Sequence, residues 1–122
     1  MSESLREFLK IAKVEIEELR DNILVRLDMH EKRKDAPGVT EHVYLENRAL
    51  LLNEICCLQR FLECLDETAP STFRSIEEAL REILERFRAE VKSCGYAPCA
   101  LLFAERRLHK AAKYAADDDS EG

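Results

Sequence analysis

Residues 41–67 read EHVYLENRALLLNEICCLQRFLECLDE, and this stretch decides the fold. Val43, Tyr44, Leu51, Ile55, Leu58, Phe61, Leu62 and Leu65 share one face of an α-helix. Leu45, Ala49, Leu52 and Cys56 recur at the same three- and four-residue spacing on nearly the opposite side. A helix that is apolar on two sides has to be buried on two sides. Either it is central in a bundle, or its second stripe meets another chain.

The flanking sequence supplies the partners for the first face. Upstream, Leu5, Leu9, Ala12, Ile16, Leu19, Ile23 and Leu27 form a stripe at about 3.5 residues per repeat, the period of a coiled-coil seam. Ile11, Val14, Val25 and Met29 make a weaker second stripe on that helix. Ser4, with Glu7 three residues on, reads as a capping box at its start. Downstream, Phe73, Ile76, Leu80, Ile83, Leu84, Phe87 and Val91 line one face. Glu77, Glu78, Arg81, Glu82, Glu85 and Arg88 line the solvated one. Ser71, Thr72 or Ser75 can cap that helix, and Gly95 suits the left-handed position after its end. A last helix carries a mostly alanine inner face: Leu101, Ala104, Leu108, Ala111, Ala112 and Ala115. Alanine favours helix but buries little area, so this helix is expected to pack closely and be the weakest anchored.

Three breaks separate these segments: Asp35–Gly38, Thr68–Ser71 and Gly95–Pro98, each pairing Pro with a turn former. They predict helices near 4–34, 41–67, 72–94 and 98–116. Short connections between long helices make antiparallel neighbours. The fold class is therefore all-α: an elongated antiparallel four-helix bundle over residues 1–116, with a disordered acidic C-terminal tail at 117–122. The expected core includes Leu19, Ile55, Leu58, Ile83 and Phe87.

Composition excludes most other classes. With 122 residues the chain is one domain, and three Gly and three Pro are too few for a turn-rich β fold or a Pro/Gly-rich disordered one. No apolar run reaches the ~18 residues of a membrane span, and the first residues show no secretory signal. Five cysteines, an odd number, fit the reducing cytosol, so the expected location is cytoplasmic. The net charge is −6, but Asp117, Asp118, Asp119 and Glu121 carry four of those charges. The body is close to neutral, so neither nucleic acid nor a membrane is expected as a partner.

Catalytic signatures are missing from the sequence. Gly38, Gly95 and Gly122 are the only glycines, which excludes phosphate loops, dinucleotide fingerprints and nucleophile elbows. Three residues before His30, His42 and His109 stand Leu27, Val39 and Arg106, so the Glu-x-x-His of di-iron bundles never occurs. No enzyme activity and no cofactor is expected.

Four groups remain as candidate sites. Leu45, Ala49, Leu52 and Cys56 are the candidate interface. Cys94 and Cys99 flank the last turn and form the candidate redox pair, close enough in sequence for the ~4.4–6.8 Å Cα separation of a disulfide. A joint metal site with Cys57 and Cys64 is excluded if the chain folds back near Ala69. Cys94 then lies beside position 45, ~18 Å from Cys57 at 1.5 Å per residue; Cys57 and Cys64 are read as core thiols. Arg106, Arg107, Lys110 and Lys113, with His109, form a candidate basic contact face, expected to be solvated or paired with acidic residues of the first helix or tail. His30 and His42, with Glu41 and Glu46, have the ligand types for a metal, but Glu41 suits a helix N-terminus and His30 with Lys32, Arg33 and Lys34 suits a helix C-terminus.

The long amphipathic helices joined by tight turns resemble, in architecture, the small bacterial flagellar export chaperones. That resemblance implies binding of a partner's helix and assigns no residue. The expected function is a non-enzymatic one, protein–protein interaction by a homodimer or an adaptor for an unidentified protein. A chaperone-like binder of a partner helix, a cysteine-based redox or metal sensor, and a nucleic-acid-associated regulator are the alternatives.

Overall fold

The computed structural model describes the backbone of residues 2–121 and the side chains of residues 3–117. Among the described residues there are four α-helices and no strand: α1 Ser2–Lys32, α2 Glu41–Asp66, α3 Ile76–Cys94 and α4 Pro98–Glu121. They pack as an antiparallel four-helix bundle in which each helix neighbours the next and α4 closes against α1. The ion pairs fix the register. Lys13 meets Asp66 at 2.6 Å and Glu31 meets Arg48 at 3.6 Å between α1 and α2. Arg60 meets Glu90 at 3.0 Å between α2 and α3, and Arg88 meets Glu105 at 3.1 Å between α3 and α4.

The expected apolar stripes form the core. Leu5, Phe8, Ala12, Ile16 and Ile23 of α1 face Leu58, Phe61, Leu62 and Leu65 of α2, Ile83, Leu84 and Phe87 of α3, and the alanines of α4. Phe61 and Phe87 stack with ring centroids 3.9 Å apart and planes within 4°. Cys57 and Cys64 are core thiols as expected. Leu58, Ile83 and Phe87 are buried, whereas Leu19 and Ile55 are only half-buried at the edge of the core. Ala104, Leu108 and Ala111 are fully covered, so the small side chains let α4 sit close to α1 and α3.

Of the caps, Ser75 and Gly95 are among those the sequence offers, and Thr40 is one it did not single out. Thr40 Oγ1 accepts from the Val43 N–H and Ser75 Oγ from the Glu78 N–H. Gly95 adopts φ +69°, and the N–H groups of Gly95 and Tyr96 both turn back to the Val91 carbonyl. Two boundaries differ. Helix α1 begins at Ser2, so Ser4 and Glu7 lie inside it rather than at its cap. Helix α3 begins at Ile76 rather than 72, because Pro70–Thr72 closes as a 3-10 turn and Phe73 follows in extended conformation. The acidic segment expected to be a disordered tail falls mostly outside the residues whose side chains are described; the backbone of α4 runs to Glu121.

The late start of α3 has a large consequence. The loop takes up residues 67–75, so the chain folds back later than Ala69. With Glu90 level with Arg60, Cys94 lies beside Cys56 and Cys57, not beside position 45. Likewise Arg107 is level with Glu15, so the start of α4 is level with about Leu24 of α1. The end of α1 and the first part of α2 therefore extend past the turn between α3 and α4. This overhang comprises about 12 residues of α2, or ~18 Å.

Candidate interaction surfaces

The second stripe of α2 is open. Leu45 is 53% exposed, Ala49 and Cys56 are exposed, and Leu52 is half-buried. Its direction follows from the neighbours. Tyr44 and Gln59 point toward α1, where Tyr44 stacks on His30 and Gln59 accepts from Arg20. Asn53 and Arg60 point toward α3 and its following turn, where Asn53 Oδ1 accepts from the Ala97 N–H at 2.8 Å. Leu45, Ala49, Leu52 and Cys56 lie between these two directions on the outer side. Helix α4 packs mainly against α1 and α3 and meets α2 where the Cys99 S–H reaches Glu54.

A second opening was not anticipated. On the overhang, the inner sides of α1 and α2 have lost the cover that α3 and α4 give farther down. A groove of about 420 Å³ runs there between Met29 and Arg33 of the first arm and Asn47, Leu50 and Leu51 of the second. A second hollow of about 560 Å³ shares Asn47 and Leu50 and reaches Gly95 and Ala97. Leu50 is 55% exposed and Met29 48%. Leu50 belongs to neither stripe of α2. The sequence signal for this surface is the mismatch between helices of 31 and 26 residues and a third of only 19.

The cysteines gather more closely than the fold-back near Ala69 allows. Cys57 feels the charge of Cys94, Cys99, Glu54 and Cys56, and its burial, the larger effect, helps push the thiol up to about 12. Burial and then Glu54, which accepts the Cys99 S–H at 3.3 Å, also raise Cys99. Cys94 is exposed and directs its S–H to Glu90. All five cysteines are free thiols. Held protonated by burial and Glu54, Cys99 is a poor nucleophile.

The basic face of α4 divides in two. Arg107 reaches Glu15 at 2.5 Å and Glu18 at 3.2 Å, and Lys110 reaches Glu15 at 3.3 Å. Burial pushes the Glu15 carboxyl up, but these two cations outweigh it and hold the group below its usual value. Arg107 and Lys110 thus tie α4 to the acidic side of α1, one of the pairings the sequence suggests, while Arg106 and Lys113 face solvent. The histidines separate. His30 stacks on Tyr44 with its Nε2 2.9 Å from the Tyr44 carbonyl, and His42 lies 3.8 Å from Glu46 on the surface. Among the described residues no three His, Cys, Asp or Glu side chains converge as a metal site. Nor, among them, is any helix long and apolar enough to cross a membrane.

The chain is similar to nothing that would assign it a role by descent: no family model, no curated protein and no solved structure matches it.

Proposed function

We propose that this protein works by protein–protein interaction rather than catalysis, and that its first partner is a second copy of itself, joined through Leu45, Ala49, Leu52 and Cys56 of α2. The observation that carries the reading is the openness of that stripe. Leu45 is half exposed on the outer side of α2, in line with Ala49 and Cys56, which among the described residues are exposed as well. Contiguous apolar patches of this kind mark contact surfaces on soluble proteins. A two-fold axis closes such a patch with a single self-complementary interface, since the same residues are presented from both sides. The free thiols, two of them in the core, suit the reducing cytosol, where we place the protein.

The test is the double substitution Leu45→Glu with Leu52→Glu. Carboxylates on the outer side of α2 leave the core untouched but cannot be buried against a second copy. The variant is expected to keep the far-UV circular dichroism of the wild type and to sediment at half its mass. Identical sedimentation of the two proteins overturns the reading. So does a variant that unfolds, since it places these leucines in the core of the single chain.

A further inference from the structure

We infer that the overhang of the α1–α2 hairpin is a helix-binding trough, and that its occupant is an amphipathic helix of another protein that turns acidic side chains toward α1. The inference extends the interaction reading above to a second face of the same hairpin.

Three features give the trough its chemistry. Its floor is apolar and open, made by Met29, Leu50 and Leu51. It is the inner side of two paired helices whose companions stop short, so an added helix would occupy the line that α3 and α4 vacate, in the manner of a helix laid into a groove. Its α1 wall is basic. Arg26 and Arg33 stand one heptad apart, and among the described residues neither makes an ion pair. The other arginines that line the bundle seams, Arg20, Arg48, Arg60, Arg88 and Arg107, all have a carboxylate. Two unpaired guanidinium groups beside an apolar floor select carboxylates on the flank of the incoming helix.

The same charges exclude this chain's own candidates. A two-fold contact through the trough runs the two α1 segments antiparallel and sets Arg26 against Arg33 of the copy, like charge facing like charge. The acidic end of α4 lies at the far end of the bundle, because α4 starts level with about Leu24 and runs away from the trough. The trough floor and the Leu45 stripe lie on different faces of α2, and they approach each other where Ala49 and Leu50 line the hollow beside Gly95 and Ala97.

The test uses two synthetic amphipathic helical peptides with the same leucine stripe. One carries glutamates along a flank, and its twin carries lysines there. Fluorescence anisotropy with the full chain is expected to show the glutamate peptide binding about tenfold tighter than the lysine peptide, with the difference shrinking in high salt. Arg26→Glu with Arg33→Glu is expected to invert the preference, and Leu50→Glu to abolish binding of both. Binding of neither peptide, equal binding of both, or a preference that survives the arginine reversal overturns the trough. Repeating the titration on Leu45→Glu, Leu52→Glu separates the two interfaces. A dimeric wild type that ignores both peptides refutes only the trough, and a monomeric wild type that discriminates between them refutes only the dimer.

Discussion

Phe87→Ala is the sharpest test of the packing that holds α2 and α3 together. Phe87 and Phe61 are both 0% exposed, and their rings stack at 3.9 Å. Truncating a fully buried phenylalanine loses its transfer free energy and leaves a cavity, together about 3–5 kcal/mol. A domain of this kind has only about 5–15 kcal/mol in total, so the variant is expected to fold but with little reserve. With a urea m-value of about 2 kcal/mol/M, the midpoint falls by roughly 2 M. Unfolding is followed by circular dichroism at one fixed protein concentration, because dimerisation makes the midpoint concentration-dependent. The double-mutant cycle with Phe61→Ala adds a second reading. Contacting aromatic rings couple by about 0.5–1.5 kcal/mol beyond area burial, so the double variant is expected to lose less than the sum of the singles. A loss below roughly 1.5 kcal/mol for Phe87→Ala, or strict additivity, refutes this core.

Acid exposes the second pairing. Glu15 has a folded pKa held below its usual value, so the stability it contributes is present above the unfolded value of about 4.3 and is lost as pH falls through the folded one. Arg107→Ala is expected to cost about 1–3 kcal/mol at neutral pH and to move the onset of acid unfolding upward, read from melting temperature against pH. Iodoacetamide in the native state is expected to label Cys94 first and to spare Cys57 and Cys64 until the chain unfolds; Cys56 should label faster in Leu45→Glu, Leu52→Glu than in the wild type, checked by peptide mass mapping. Gly95→Ala puts a Cβ at φ +69° with nothing within 4 Å of it, so only the backbone strain counts, and thermal melting should show a loss of about 1–2 kcal/mol.

The residues that repeat were the readable ones. Periodicity placed all four helices, and the stripe ending at Leu65 packs where Phe61 and Leu62 said it would. Turn chemistry placed Gly95 and offered Ser75 as one of three caps, because each makes a local hydrogen bond that its own φ or side chain dictates. Register was not readable. It depends on how many residues a loop consumes, and Pro70–Thr72 could have been the first turn of α3 instead of a 3-10 turn of its own. That one ambiguity moved Cys94 from position 45 to Cys57 and hid the overhang. The open stripe was legible because Leu45, Ala49 and Leu52 repeat among themselves. The trough was not, because Met29, Leu50 and Arg33 come together only through the pairing of α1 with α2 beyond the reach of α3 and α4.

The most direct test of the central claim is the mass of the wild-type chain in solution under reducing conditions, measured by light scattering across a range of concentrations. A homodimer through α2 predicts twice the 14.1 kDa of one chain. A mass of 14.1 kDa at every concentration contradicts it, and leaves Leu45 and Ala49 as solvent-exposed surface.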